Sequence, residues 1–127
     1  MAANDSRPIY LDLFRIHLPV TAWASILHRV SAVIIWVGLG FILWLAQAAS
    51  TPAGFADLTS LLADSFVMKF LSWGFLTALG YYCTGSLKHI IQDMGYFEDF
   101  AGGKLISWAA IGSGITMSVL MGVAIWA

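Results

Sequence analysis

Three side chains at the entrance to the first long apolar stretch, Ser25, His28 and Arg29, fall at positions i, i+3 and i+4. On a helix that spacing puts all three on one face. Arginine brings a permanent positive charge and a planar fork of donors. Serine adds a neutral hydroxyl donor, and histidine a group that titrates near neutral pH. Such a set suits a small polar headgroup carried on an apolar tail. A quinone has that form. Its carbonyl oxygens need hydrogen-bond donors, and a fixed cation stabilises the negative charge that reduction puts on them where water is scarce. Trp23, Ile26 and Leu27 are placed to supply apolar walls. A plainer role fits the same residues: Arg29 reaching to lipid headgroups, His28 at the membrane interface and Ser25 bonded back to its own helix. Spacing alone leaves both open.

A second polar group, Lys88, His89 and Asp93, closes the second apolar stretch, with His89 and Asp93 at i, i+4. It reads either as a charged helix end anchored among headgroups, or as an anion site with a proton route. In the second case His89 titrates near neutrality and Asp93 passes protons toward a reduced quinone.

The elements that must position these groups follow from composition. Of 127 residues, 60% are hydrophobic and 10% charged, against about 25% charged in soluble domains. That composition excludes an ordinary water-soluble globule and a disordered chain. The formal charge of −1 offers no nucleic acid an attractive surface, and the single cysteine, Cys83, allows no intrachain disulfide. Residues 30–49, 70–87 and 105–127 contain no Asp, Glu, Lys, Arg or His. A bilayer core of ~30 Å takes ~20 apolar residues as a helix, the form that satisfies its own backbone in lipid. The pattern therefore predicts an all-α membrane protein with three transmembrane helices near 22–48, 65–90 and 104–126, forming a single anchor domain over 1–127.

Arg7, Arg15 and Arg29 precede the first apolar run, and Lys88 and Lys104 flank the second connection, while Lys69 alone belongs to the other side. By the positive-inside rule the N-terminus and the 88–104 connection are cytoplasmic, and the 50–64 connection and C-terminus periplasmic. The N-terminal segment 1–21 includes a stretch, 8–19, that mixes apolar residues with Asp12, Arg15 and His17. It reads as an interfacial segment or as an ordered loop. The first apolar run is too long, and begins too late, for a cleaved signal peptide. Ala110, Gly114, Ser118 and Gly122 repeat every fourth residue, a stripe that lets another helix approach closely, with a weaker version in Gly74 and Ala78. Three helices bury little by themselves, so a membrane partner is expected.

Two stretches carry a resemblance. The run Arg7-Pro8-Ile9 … Val20 … Ser25-Ile26-Leu27-His28-Arg29-Val30-Ser31 resembles the N-terminal signature of the cytochrome b556 subunit of succinate dehydrogenase. Trp73-Gly74 … Leu76-Thr77-Ala78-Leu79 … Tyr81 … His89 … Asp93-Met94-Gly95-Tyr96 is similar to that family's second signature. The similarity extends over essentially the whole chain. It implies one of two small anchors of respiratory complex II, in the bacterial inner membrane, serving the respiratory chain and citric acid cycle. The second small anchor subunit brings three more helices, so this chain forms half of a two-subunit bundle. A flavoprotein subunit and an iron–sulfur subunit dock on the cytoplasmic face, and electrons pass from succinate to ubiquinone. By the same resemblance Ser25, Ile26 and Arg29 belong to the quinone site. His28, Arg29 and His89 lie near the propionates of haem b, and Asp93 lies near the quinone.

The family's second signature opens with a histidine that ligates haem b iron, and here that position is Tyr82. Ser86 stands where Gly or Ala is usual, and Lys88 where Arg is usual. Three outcomes stay open: no haem, a five-coordinate haem held by the partner anchor, or a Tyr82 phenolate ligand. The last requires loss of a proton with a pKa near ~10. A simple packing role for Tyr82, its hydroxyl bonded to the partner, is the plain counterpart. His28 and His89 are expected at the cytoplasmic end, with Tyr82 almost two turns deeper than His89. Cys83 could ligate only on a helix rotated by ~100°.

The chain has no flavin fingerprint, no cysteine cluster and no dicarboxylate site, so it does not oxidise succinate alone. Two other readings differ in class. One is a purely structural tether, with the quinone site supplied by partner subunits. The other is a small transporter or channel subunit, which is disfavoured because no ionisable residue falls mid-span.

Overall fold

The computed structural model describes residues 17–127. The segment expected at the interface, with Arg7 and Arg15, lies outside the described residues except for its last few positions. The described chain is wholly helical and mostly apolar, the build of a membrane protein: α1 (Val20–Ala48), α2 (Pro52–Asp64), α3 (Phe66–Asp93) and α4 (Phe100–Trp126).

Local chemistry sets the helix ends. Pro19 precedes α1 in extended conformation, and its carbonyl accepts from Ala22 and Trp23 amides at 3.0 and 3.2 Å. α2 opens with Thr51-Pro52. The Thr51 hydroxyl accepts from the Gly54 amide at 3.1 Å, and proline sits in the first turn, where its missing N–H is not needed. Ser65 ends α2 and caps α3, accepting from the Met68 amide at 3.3 Å. After α3 the chain reverses through Gly95 (φ 90°) and Phe97 (φ 57°), both left-handed, and Asp99 caps α4 through the Gly102 amide at 3.3 Å.

The sequence reading treats 50–64 as a plain connection, but the structure folds most of it into α2, which meets α3 at 90°. The Thr-Pro start and the Ala- and Leu-containing stretch behind it are the local cause. α1 and α4 are each long and apolar enough to cross a bilayer, whereas α3 reaches that measure only together with α2. The reason lies in its middle, which carries Trp73, Thr77 and Tyr81, groups it uses to bind its neighbours.

α3 is the central helix, and the four-residue stripe of α4 packs on it. Ala110 is 6% exposed, and the ring of Tyr81 lies against Gly114, where an added Cβ would fall 2.5 Å from Tyr81 Cδ2. The hydroxyls of Thr77 and Ser118 share a hydrogen bond at 2.9 Å, and Trp73 Nε1 donates to the Ser118 carbonyl at 2.9 Å. Gly122 faces the Trp73 ring. The stripe is thus consumed within the chain. Of the weaker pair on α3, Ala78 is buried at 4% exposure, but Gly74 has open space where a side chain would begin. α1 runs antiparallel to α3, with Gly38 beside Phe75 and His28 beside Gly85. Tyr81 Oη reaches across to donate to the Ala24 carbonyl at 2.9 Å. The outward faces, Trp36 and Val37 on α1 among them, are exposed and apolar, as a lipid-facing surface requires.

Candidate functional site

The two polar groups of the sequence meet where α1 begins and α3 ends, and His28 joins them. Its ring stacks flat on Tyr82, with centroids 4.6 Å apart and planes 6° from parallel. Its Nε2 lies 3.2 Å from Ser86 Oγ, in hydrogen-bond contact. His89 meets it edge-on at 5.3 Å. Beneath the ring is Gly85, where an added Cβ would come within 2.5 Å of His28 Cδ2. No other residue type leaves room for the imidazole at that point.

Tyr82, Ser86, His89 and Asp93 follow one another at helical spacing, so they form a polar stripe along one side of α3. Its inner end, Tyr82, is partly exposed, and its outer end, Asp93, is exposed. On α1, Ser25 and Arg29 flank His28 by helix register. Ser25 and Ile26 are half-buried, and Arg29 is exposed. His28 is therefore committed to α3, while Arg29 stays at the surface of the bundle.

Two expectations change. Lys88 does not join His89 and Asp93. It is buried at 7% exposure, and its Nζ donates to Gln92 Oε1 at 3.1 Å, because the next position along a helix points some 100° away. The separation in depth between His28 and Tyr82 also fails. Antiparallel packing sets His28 level with Gly85, between Tyr82 and His89, and the imidazole spans the remaining gap. Cys83 is exposed, and one position on from Tyr82 it points some 100° away around α3.

Gly85 and Ser86 were not singled out as site residues. A signal for Ser86 existed in its departure from the small residue usual there, but nothing local says that a glycine makes room for a ring 57 residues earlier in the chain. An apolar groove of about 370 Å³ runs between the three long helices past Leu27, Ile34, Thr77, Tyr81 and Ile115. Neither Ser25, Ile26 nor Arg29 lines it, so this groove is not where a headgroup would meet those donors.

Comparison with known proteins covers most of the chain. A family model described as succinate dehydrogenase/fumarate reductase transmembrane subunit matches residues 3–121. The chain is similar to the succinate dehydrogenase cytochrome b556 subunit of Coxiella burnetii, 29% identical over 124 residues that cover 97% of this chain and 99% of that protein. It is also similar to the subunit of the same name from Paracoccus denitrificans, 30% identical over 122 residues, covering 92% and 90%.

Proposed function

The chain belongs to the succinate dehydrogenase/fumarate reductase transmembrane subunit family, and from that premise we propose that it contributes Ser25, Ile26 and Arg29 to the quinone-reduction site of a complex II. As a subunit of that enzyme complex it is a membrane anchor and not catalytic alone. The observation that carries the site is the division of labour on α1: His28 is held by α3, while half-buried Ser25 and exposed Arg29 flank it and spend no side-chain hydrogen bond on α3.

The chemistry follows from those groups. The Ser25 hydroxyl and the Arg29 guanidinium donate hydrogen bonds to a quinone carbonyl oxygen, and Ile26 packs against the ring. Two electrons arrive from an iron–sulfur subunit docked at this end, and two protons complete the quinol. As negative charge builds on the oxygen, the fixed guanidinium charge lowers its energy in a site poor in water. Asp93, at the open end of the α3 stripe, takes protons from solvent, and His89 stands next along it. Succinate oxidation belongs to the flavoprotein partner.

The same reading places α1, α3 and α4 across the bacterial inner membrane, with the N-terminus and the 94–99 turn cytoplasmic and α2 lying at the periplasmic surface. Support comes from the bases Arg29, Lys88 and Lys104 at one end and Asp57 and Asp64 at the other. A second small anchor subunit completes the bundle against the exposed apolar faces.

The test is Arg29→Ala in the assembled, purified complex. Quinone reduction is expected to fall at least tenfold, in line with loss of a charge-assisted donor worth about 1.5–3 kcal/mol, while succinate oxidation by a water-soluble acceptor is retained. Equal loss of both activities would assign Arg29 to assembly. Near-normal quinone kinetics in a Ser25→Ala, Arg29→Ala double variant would leave a structural tether.

A further inference from the structure

We propose that position 82 is in this chain a clamp and not an iron ligand: Tyr82, Gly85 and Ser86 of α3 grip His28 of α1 and so position the Ser25–Arg29 face. The inference deepens the quinone-site reading and rests on it for its positioning half only.

Haem b is the group implied by the names of the two relatives, both cytochrome b556 subunits, and position 82 is where the family resemblance sets the axial histidine. The residues present do not fit that role. An axial ligand needs a lone pair directed into a space open to the porphyrin plane. The Tyr82 ring has one face packed against the His28 imidazole at 4.6 Å and 6°, so its direction is set by a side-chain partner on α1. A phenol also ligates as phenolate, losing a proton whose ordinary pKa is about 10. The neighbouring cation able to stabilise that charge, Lys88, is turned to the other flank of α3 and bonded to Gln92. His28 is no substitute, since its Nε2 is taken by Ser86 Oγ at 3.2 Å.

What the cluster does is hold one ring on four sides. Tyr82 covers its face, Ser86 takes a nitrogen, His89 meets its edge and Gly85 forms a floor that any Cβ would destroy. Tyr82 and Ser86, two of the positions where the chain departs from the family pattern, converge on the same imidazole. Because His28 lies between Ser25 and Arg29 on one helix face, gripping it fixes the rotation of α1 about its axis, and with it the direction of both quinone donors.

The experiment uses the purified complex with Tyr82→Phe and Tyr82→Leu, reading protohaem per complex, the reduced-minus-oxidised spectrum, and the quinone KM. Phenylalanine keeps the stacked ring and removes the oxygen. We expect Tyr82→Phe to match the unaltered complex in haem content and spectrum, whatever that content is, and in quinone KM. Loss of haem, or of a phenolate charge-transfer band, in Tyr82→Phe would overturn the exclusion of an iron ligand. Tyr82→Leu is expected to raise quinone KM by about two- to tenfold, the factor equivalent to one ring–ring contact, with succinate oxidation by a soluble acceptor unchanged. Unmoved KM in Tyr82→Leu would overturn the positioning half. If Arg29→Ala also leaves quinone kinetics normal, the quinone-site reading fails as well; if Arg29→Ala impairs them, only the clamp fails.

Discussion

Gly114→Ala should destabilise the bundle far more than its chemistry suggests. A methyl group at position 114 would fall 2.5 Å from Tyr81 Cδ2 and 3.4 Å from Cε2 and Cγ, where carbon atoms prefer ~3.5–4.0 Å. The ring has little freedom to yield, because Tyr81 Oη donates to the Ala24 carbonyl on α1 at 2.9 Å and the residue is 8% exposed. Either α4 withdraws from α3, or the ring swings and the bond to α1 breaks. Overpacking of this kind costs about 1–3 kcal/mol, and an interhelical hydrogen bond in a membrane contributes about 0.6–1.7 kcal/mol. The expected loss is therefore about 2–5 kcal/mol where both terms apply. Gly112→Ala is the matched control on the same helix, since nothing lies within 4 Å of its added Cβ; it should be neutral or gain up to ~1 kcal/mol of helix propensity. The assay is heat dissociation of the purified complex, comparing both variants, followed by Gly114→Ala in a Tyr81→Phe background. Without its hydroxyl the ring is untethered, so the two changes should be less than additive. Equal heat stability of Gly114→Ala and Gly112→Ala would refute the reasoning, and strict additivity would refute the tether.

Two further outcomes follow from the geometry. A double-variant cycle of Thr77→Val and Ser118→Ala should return a coupling of about 0.6 kcal/mol, the average for a membrane hydrogen bond, for the hydroxyl pair at 2.9 Å; additive losses would mean that the pair is not bonded. Cysteines placed at Asp57 on α2 and at Glu98 before α4 should react with an impermeant maleimide from opposite sides of sealed membranes, Asp57→Cys from the periplasmic side. Labelling of both from one side would refute the three-span arrangement.

Much of the architecture was legible in the chain. Charge-free runs located the three long helices because desolvating an ion in lipid is so unfavourable that its absence marks a span. The structure begins α1 two residues before the expected start, and α4 four before, in each case at a capping position read only by its geometry. Most of the connection 50–64 was misjudged because its helix is short and of mixed polarity, and what sets it at 90° to α3 is the single residue Ser65. The α4 stripe was recognised as a close-packing surface, but its partner was not, since small residues say that a helix approaches and not which one.

The composition and the local spacing of side chains by themselves determined that this protein is helical, that its solvent is lipid, and that Ser25, His28 and Arg29 share one face. These are short-range facts, set by a repeat of 3.6 residues and by the free energy of burying charge. Only the tertiary structure decided that His28 is gripped by Tyr82, Gly85 and Ser86, that Lys88 turns away toward Gln92, and that the α4 stripe is spent on α3. Those outcomes depend on the register of antiparallel helices, which shape and hydrogen bonding set between residues far apart in the chain. Hydropathy has no term for a missing Cβ that admits an imidazole from another helix.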